Sequence, residues 1–434
     1  MKLWEKKKTK ILNEVEEFEI GKDYIYDREL ARYDVKGTIA HVKMLKKIGI
    51  LTDEEERKIV LELEDLYRKF EKQPPNLTKE DEDIHTYIEN YLTSVLGDIG
   101  KKIHTARSRN DQVLTAIRLY EKEKISEITE QLDRILKKLI KISNKFKDKP
   151  FIGYTHLRQA MPTTVDTWID SLIEALEDDR KLLRTTYEFI NRNPLGSSAG
   201  YGTPIKIDRE FTTKILGFSE YIKNPIYCQN TRGKYESILI FVLTTIAGDL
   251  ARFSNDIIIF SSDEFGLVEI DESITTGSSI MPHKKNPDVF ELIRAKFKKF
   301  LGYLVSAMSI TFSLTSGYNK DLQETKEILI EAITEIQKIL EIFEIVIDYI
   351  DINENEVFSK SSKKIFSVDI AFEIMKEFNL PFRDAYRKVG EIIDEYEKNP
   401  SITKEYQDQI SKRIIDFLSM DTKELFMTFL PKRK

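Results

Sequence analysis

The strongest constraint on the fold is a helical seam held for nearly three heptads. Ile125, Ile128, Leu132, Ile135, Leu139 and Ile142 alternate spacings of three and four, which keeps one apolar stripe on one face of an α-helix. Ile333, Ile336, Leu340, Phe343 and Ile347 repeat the pattern, and residues 165–190 read as another amphipathic helix after Pro162-Thr163-Thr164. Only 17 glycines and 12 prolines punctuate 434 residues, so turns are few and elements long. No run alternates cleanly enough to demand a sheet, and there is no repeat of 20–50 residues.

The expected class is therefore all-α, a three-part helical chain with a central bundle of long helices. Breaks fall near Pro74-Pro75, at Pro150, across 193–208, around 261–288 and near Gly317, and a polar stretch spans 351–362. The parts expected are an N-terminal helical domain over 1–104, a long-helix bundle over 105–352 and a small helical domain over 353–434. Residues 238–248 are the most apolar run. They are too short to span a bilayer and fit a helix buried on all sides. A slender bundle from one chain has little interior for such a helix, and self-association into a closed multi-chain bundle would hide it.

Composition narrows the function. A net charge of −6 with both signs interspersed gives no electrostatic case for nucleic acid, and nothing points to a membrane. A single cysteine, Cys228, and an N-terminus without an apolar core fit a reducing, cytoplasmic setting. The five histidines are scattered, so no metal site is expected.

Chemistry is concentrated in polar runs at the ends of helices. The densest is Gly277-Ser278-Ser279-Ile280-Met281-Pro282-His283-Lys284-Lys285-Asn286-Pro287-Asp288, a loop suited to meeting an anion and moving a proton. Others are residues 81–85 with His85, 104–112, 153–159 at the expected start of the next helix, and 318–324. Taken singly, each also fits a helix cap, with Thr105 or Thr155 at the N-cap. Four of the five histidines fall in these runs. Gly196-Ser197-Ser198-Ala199-Gly200 matches the G-x-S-x-G of a hydrolase nucleophile elbow, but that mechanism needs a strand leading into the turn, and a helix is expected there.

The 277–287 run resembles the signature of the fumarase/aspartase superfamily, and the longer match resembles argininosuccinate lyases. Residues 104–112, 153–156, 194–197 and 318–324 are similar to that family's motifs, as is 369–390 with Pro381-Phe382-Arg383. The likeness covers about Tyr26 to Gly390. It implies a homotetramer with active sites shared between subunits, and β-elimination of argininosuccinate to arginine and fumarate without a cofactor.

The resemblance also implies roles. Ser278 is the base, His156 the acid, Glu291 the carboxylate that orients and charges it, and Lys284 and Asn286 the groups that meet developing charge. Substrate binding falls to Arg109, Asn110, Thr155, Asn286, Tyr318, Gln323, Lys326 and Arg232, with Ser108, Asp83 and His85 as weaker members. The chain departs from the family with Arg158 and Met161 where glutamines are usual, with His283 in the loop, and near Asp23, where a serine is expected. The alternatives are another fumarate-releasing lyase, such as adenylosuccinate lyase, and a non-catalytic crystallin-like homologue.

Overall fold

The computed structural model describes residues 12–398, 406 and 408–433. They divide into two compact units. The first takes the chain up to Leu132, then Asp178–Gly248 and Ala295–Glu341; the second takes Asp133–Glu177, Asp249–Arg294 and the chain from Ile342 on.

Three helices, Asp23–Lys47, Asp53–Lys72 and Ile84–Leu96, build one core of the first unit. The second of them shows why this sequence is helical. Thr52 and Glu55 form a reciprocal capping box, with the acidic residues 53–56 in the first turn and Lys69 and Lys72 in the last, where each charge suits the helix dipole. Ile59, Leu63, Leu66 and Phe70 recur every three to four residues, and all four are buried.

The expected long helices are present as Arg109–Lys145, Val165–Ile190, Lys234–Phe260, Asp288–Phe312 and Glu324–Val346, and the division between the units falls within each of them. Both predicted seams are internal, Ile142 alone being only half-buried. The apolar run at 238–248 is less enclosed than its composition suggests. Leu239, Ile240, Leu243 and Ile246 are fully buried, but Phe241 is 48% exposed. By length and composition the stretch Pro225–Phe260 could cross a membrane, contrary to the sequence expectation, yet 67% of its most apolar window is buried, as in the core helix of a folded protein.

The structure corrects the sequence reading at residues 150–164. A hairpin pairs Pro150–Thr155 with Arg158–Thr164 where the start of a helix was expected. Its two-residue turn is His156-Leu157, both with positive φ (53° and 56°). Such turns are usually announced by Asn-Gly or Asp-Gly, and neither is present. Gly153 sits at a register shift where a Cβ would lie 2.9 Å from the Met161 carbonyl oxygen. Two other two-stranded pairings join Arg192–Asn193 to Glu220–Tyr221 and Val268–Ile270 to Ile350–Ile352. The fold remains helical with short β-ribbons.

Leu63→Ala is expected to destabilise the protein by about 3 kcal/mol through the cavity it leaves. Thermal unfolding checks this, and an unshifted midpoint contradicts the packing described.

Candidate active site

The site is built on a polar stripe within an apolar helix. On Asp23–Lys47, residues Asp27, Asp34, Thr38 and His41 are buried and recur at spacings of seven, four and three, among Leu30, Ala31, Val35 and Val42. Buried carboxylates need partners, and these come from far along the chain. Lys326 Nζ lies 2.5 Å from Asp27 Oδ1 and 3.0 Å from Asp23 Oδ1, and Asp27 Oδ2 accepts the Ile84 N–H at 3.1 Å. Burial disfavours the Lys326 ammonium, but the two carboxylates outweigh it and hold its pKa well above the usual lysine value.

His85 Nδ1 lies 2.6 Å from Asp34 Oδ2, while Gln112 Nε2 donates to Asp34 Oδ1 at 3.0 Å. Burial works against the imidazolium, yet Asp34, with Asp83 and Asp27 beyond, raises the His85 pKa above its ordinary 6.5. Asp83 caps its helix, accepting from Thr86 N at 2.7 Å and Thr86 Oγ1 at 2.8 Å. Burial raises the Asp83 carboxyl, but His85, Arg109 and the Thr86 bonds bring it below the usual value. Arg109 is fixed by Asp83 at 3.2 Å, Glu82 at 3.0 Å and Thr86 Oγ1 at 2.7 Å.

Of these, Asp23, Glu82, Asp83, His85, Arg109 and Lys326 line a cavity of about 450 Å³ together with Asn110, Arg232, Tyr318 and Gln323, all within the first unit. The Gln323 amide nitrogen is committed to the carbonyls of Glu19 and Ile20 at 3.1 and 3.3 Å. Ser108 does not line the cavity; its Oγ accepts the Asn110 N–H at 3.3 Å.

Arg232 differs from the other cations. It is 3% exposed, and its guanidinium has no hydrogen bond or ion pair among the described residues. Its guanidinium carbon lies 5.2 Å from the centroid of the Tyr318 ring. The backbone beside it is firmly held. Arg118, fully buried, donates to the Thr231 carbonyl at 2.9 Å, pairs with Glu121 and Glu236, and stacks on Tyr235. Burial pushes the Glu121 carboxyl up to about 8 despite Arg118. Gly233 follows with φ +80°, where a Cβ would meet Thr311 Oγ1 at 2.2 Å.

The remaining predicted residues, Thr155, His156, Ser278, Lys284, Asn286 and Glu291, belong to the second unit. Thr155 ends a strand rather than capping a helix, and His156 occupies the hairpin turn, exposed and in the left-handed region. Backbone in that region is costly for a residue with a side chain and recurs at functional sites. Ser278 Oγ accepts from the N–H groups of Met281 at 3.2 Å and Ile280 at 3.4 Å. Thr276 and Asn286 pair through their backbones at the stem of this loop. Neither the Lys284 ammonium nor the side chains of His156 and Glu291 make a hydrogen bond or ion pair among the described residues.

Comparison with known proteins places this geometry. A family model described as "Lyase" matches residues 18–302. An argininosuccinate lyase of Thermotoga neapolitana is 46% identical over 390 residues, 90% of this chain and 98% of that protein. One from Phocaeicola vulgatus is 43% identical over 90% of this chain and 87% of its own. The chain belongs to the argininosuccinate lyase family. It is a carbon–nitrogen lyase by that membership, and its fold is shared more widely. An EDDS lyase in complex with formate superposes with a TM-score of 0.77 at 21% identity, covering 95% of this chain and 84% of that one.

Sequence reasoning missed Asp27, Asp34 and Thr86, which hold Lys326, His85 and Arg109 in place. The signal was available, because polar residues at 27, 34, 38 and 41 interrupt an apolar helix face at helical spacing.

A group whose pKa is raised by folding stabilises fully below its unfolded pKa and loses that contribution as pH rises through the folded value. The difference in unfolding temperature between the parent and His85→Asn should therefore be largest below about pH 6.5 and shrink above it. A difference independent of pH contradicts a charged His85.

Proposed function

We propose that the chain cleaves argininosuccinate to arginine and fumarate by β-elimination. What carries this reading is Arg232. A guanidinium buried with no carboxylate of its own is unfavourable, and its planar fork matches a carboxylate. Asn110, whose side-chain amide is likewise unpartnered among the described residues, lines the same cavity. Lys326, by contrast, is neutralised by Asp23 and Asp27 and serves mainly to hold the wall. Arg109 is already paired with Glu82 and Asp83, and Tyr318 and Gln323 line the same cavity.

In the reaction, Ser278 removes a proton from the carbon next to a substrate carboxylate, and the electron pair delocalises into that carboxylate. Lys284 and Asn286 stabilise the resulting dianion. The C–N bond then breaks, its electrons go to the guanidinium nitrogen, and His156 supplies the proton, with Glu291 from another subunit as the carboxylate brought to it. Serine is a weak base unless its alkoxide is stabilised. The two N–H groups aimed at Ser278 Oγ are suited to that, with Lys284 as the nearby charge in sequence.

We further propose that active sites are completed between subunits of a homotetramer. Leu301, Val305, Met308 and Phe312 form an exposed apolar stripe at helical spacing on Asp288–Phe312, and Phe241 is also open. Such a stripe calls for a protein partner, and a second copy fits the symmetric-bundle argument. Catalytic residues exposed in one chain are then covered by another. The single buried thiol, Cys228, suits a cytoplasmic setting.

Purified protein should release fumarate, followed by ultraviolet absorbance, from argininosuccinate and not from adenylosuccinate; the reverse preference overturns the assignment. Ser278→Ala should lower kcat about a thousandfold, and near-parental turnover removes Ser278 as the base. Arg232→Gln should raise KM about a hundredfold through the lost charged pair, and an unchanged KM would mean that the carboxylate binds elsewhere.

A further inference from the structure

The turn Gly196-Ser197-Ser198-Ala199-Gly200 has the spacing of a nucleophile elbow but is built for another task. Its backbone has positive φ at Gly196 (92°), Ser198 (54°) and Gly200 (98°), so N–H groups converge on its inner side, as in an anion-binding nest. The anion there belongs to the chain. Asp111, fully buried, accepts from Gly196 N and Ser198 N through Oδ2, both at 2.9 Å, and from Ser108 N through Oδ1 at 3.0 Å. Burial raises this carboxyl, and the three N–H donors and Arg107 pull it back.

The far side of the turn is tied as well. Ser197, fully buried, accepts from Gln229 Nε2 at 3.1 Å, and the Ser198 carbonyl accepts from the same nitrogen at 3.4 Å. Gln229 is itself buried and lies three residues before Arg232. Both bounding glycines are required. A Cβ at Gly196 would lie 2.7 Å from Ile207 Cδ1, and one at Gly200 would lie 2.8 Å from Gln229 Cγ.

A continuous path of hydrogen bonds therefore runs from Ser108, at the start of the helix carrying Arg109 and Asn110, through Asp111 and the turn to Gln229 and the segment carrying Arg232. We propose that Asp111 is a positioning residue which, through the 196–200 turn, fixes the span between Asn110 and Arg232 across the cavity. Resting on the lyase reading above, this makes it a determinant of how tightly the substrate carboxylates are held. Asp111 and Ser197 do not line the cavity, so neither touches substrate. Among the described residues, Asn110 and Arg232 have no side-chain hydrogen bonds of their own to fix them, so the backbone must set their separation. An error in that span weakens binding before and during the reaction alike, and so appears in KM rather than kcat.

The test is steady-state kinetics with argininosuccinate on the full-length parent, Asp111→Asn and Ser197→Ala, with Leu63→Ala as a control of lowered stability outside the path. Asp111→Asn replaces one acceptor oxygen with an NH2 group facing backbone donors, and its KM should rise about tenfold to a hundredfold with kcat within about threefold. Ser197→Ala removes only the link to Gln229, so it should fold even if Asp111→Asn does not, and its KM should rise about threefold to tenfold. Leu63→Ala should lower the unfolding temperature and leave KM unchanged. Raised KM in Ser197→Ala, and in Asp111→Asn where it folds, supports the brace. Unchanged KM in Ser197→Ala overturns it, as does an equal rise in Leu63→Ala. If the parent itself releases no fumarate, the lyase reading fails and the positioning role falls with it. An active parent with unchanged KM in the variants removes the positioning role alone.

Discussion

The site depends on one constraint: buried carboxylates on the Asp23–Lys47 helix must be matched by cations. Asp27 and Asp34 are at most 1% exposed, and an isolated buried charge costs several kcal/mol or more. The match is made by Lys326, 299 positions from Asp27, and by His85. Breaking such a pair leaves the other charge stranded, so the arrangement locks segments distant in sequence into one register. The cavity is the space enclosed by that lock. Lys326, Arg109, His85 and Gln323 in its wall are committed to neighbours, whereas among the described residues the Arg232 guanidinium and the Asn110 amide are not, and these two are open to a ligand.

This division of labour revises the simple reading of a positively charged pocket. Lys326 and Arg109 carry charge but are neutralised by Asp23, Asp27, Asp83 and Glu82. Asp23, near which a departure from the family was expected from the sequence, is part of that neutralisation. Among the described residues, Arg232 is the buried cation of this wall that no carboxylate neutralises, and it lies over the face of Tyr318. An electrostatic contribution is strongest where a group is dry and fixed beforehand, and Arg232 meets both conditions through the Arg118 cluster behind Thr231.

Much of the fold was legible because long helices advertise themselves by period. The seams through Ile125 and Ile333 run over many turns, and tertiary context had no reason to override them. The hairpin at 150–164 was not legible, because its turn residues, His156 and Leu157, are not those that usually signal positive φ. Motif-bearing residues such as Arg109, Asn110 and Arg232 could be picked out by type, and the structure gathers them around one cavity. Their supports were only half visible: the polar stripe through Asp34 shows at helical spacing, but the partner of Asp34 or Asp111 is set only when an imidazole or a backbone N–H arrives from elsewhere in the chain. The 196–200 turn is the converse case, in which a familiar spacing, already set aside as a nucleophile elbow, reflects close backbone packing.

The most direct test of the central claim is a crystal structure of the Ser278→Ala variant with argininosuccinate bound. The account predicts a substrate carboxylate on the Arg232 guanidinium, within hydrogen-bond reach of Asn110, with Lys326 still held between Asp23 and Asp27. A substrate anchored on Lys326, with Arg232 paired to a carboxylate of the protein, would contradict it.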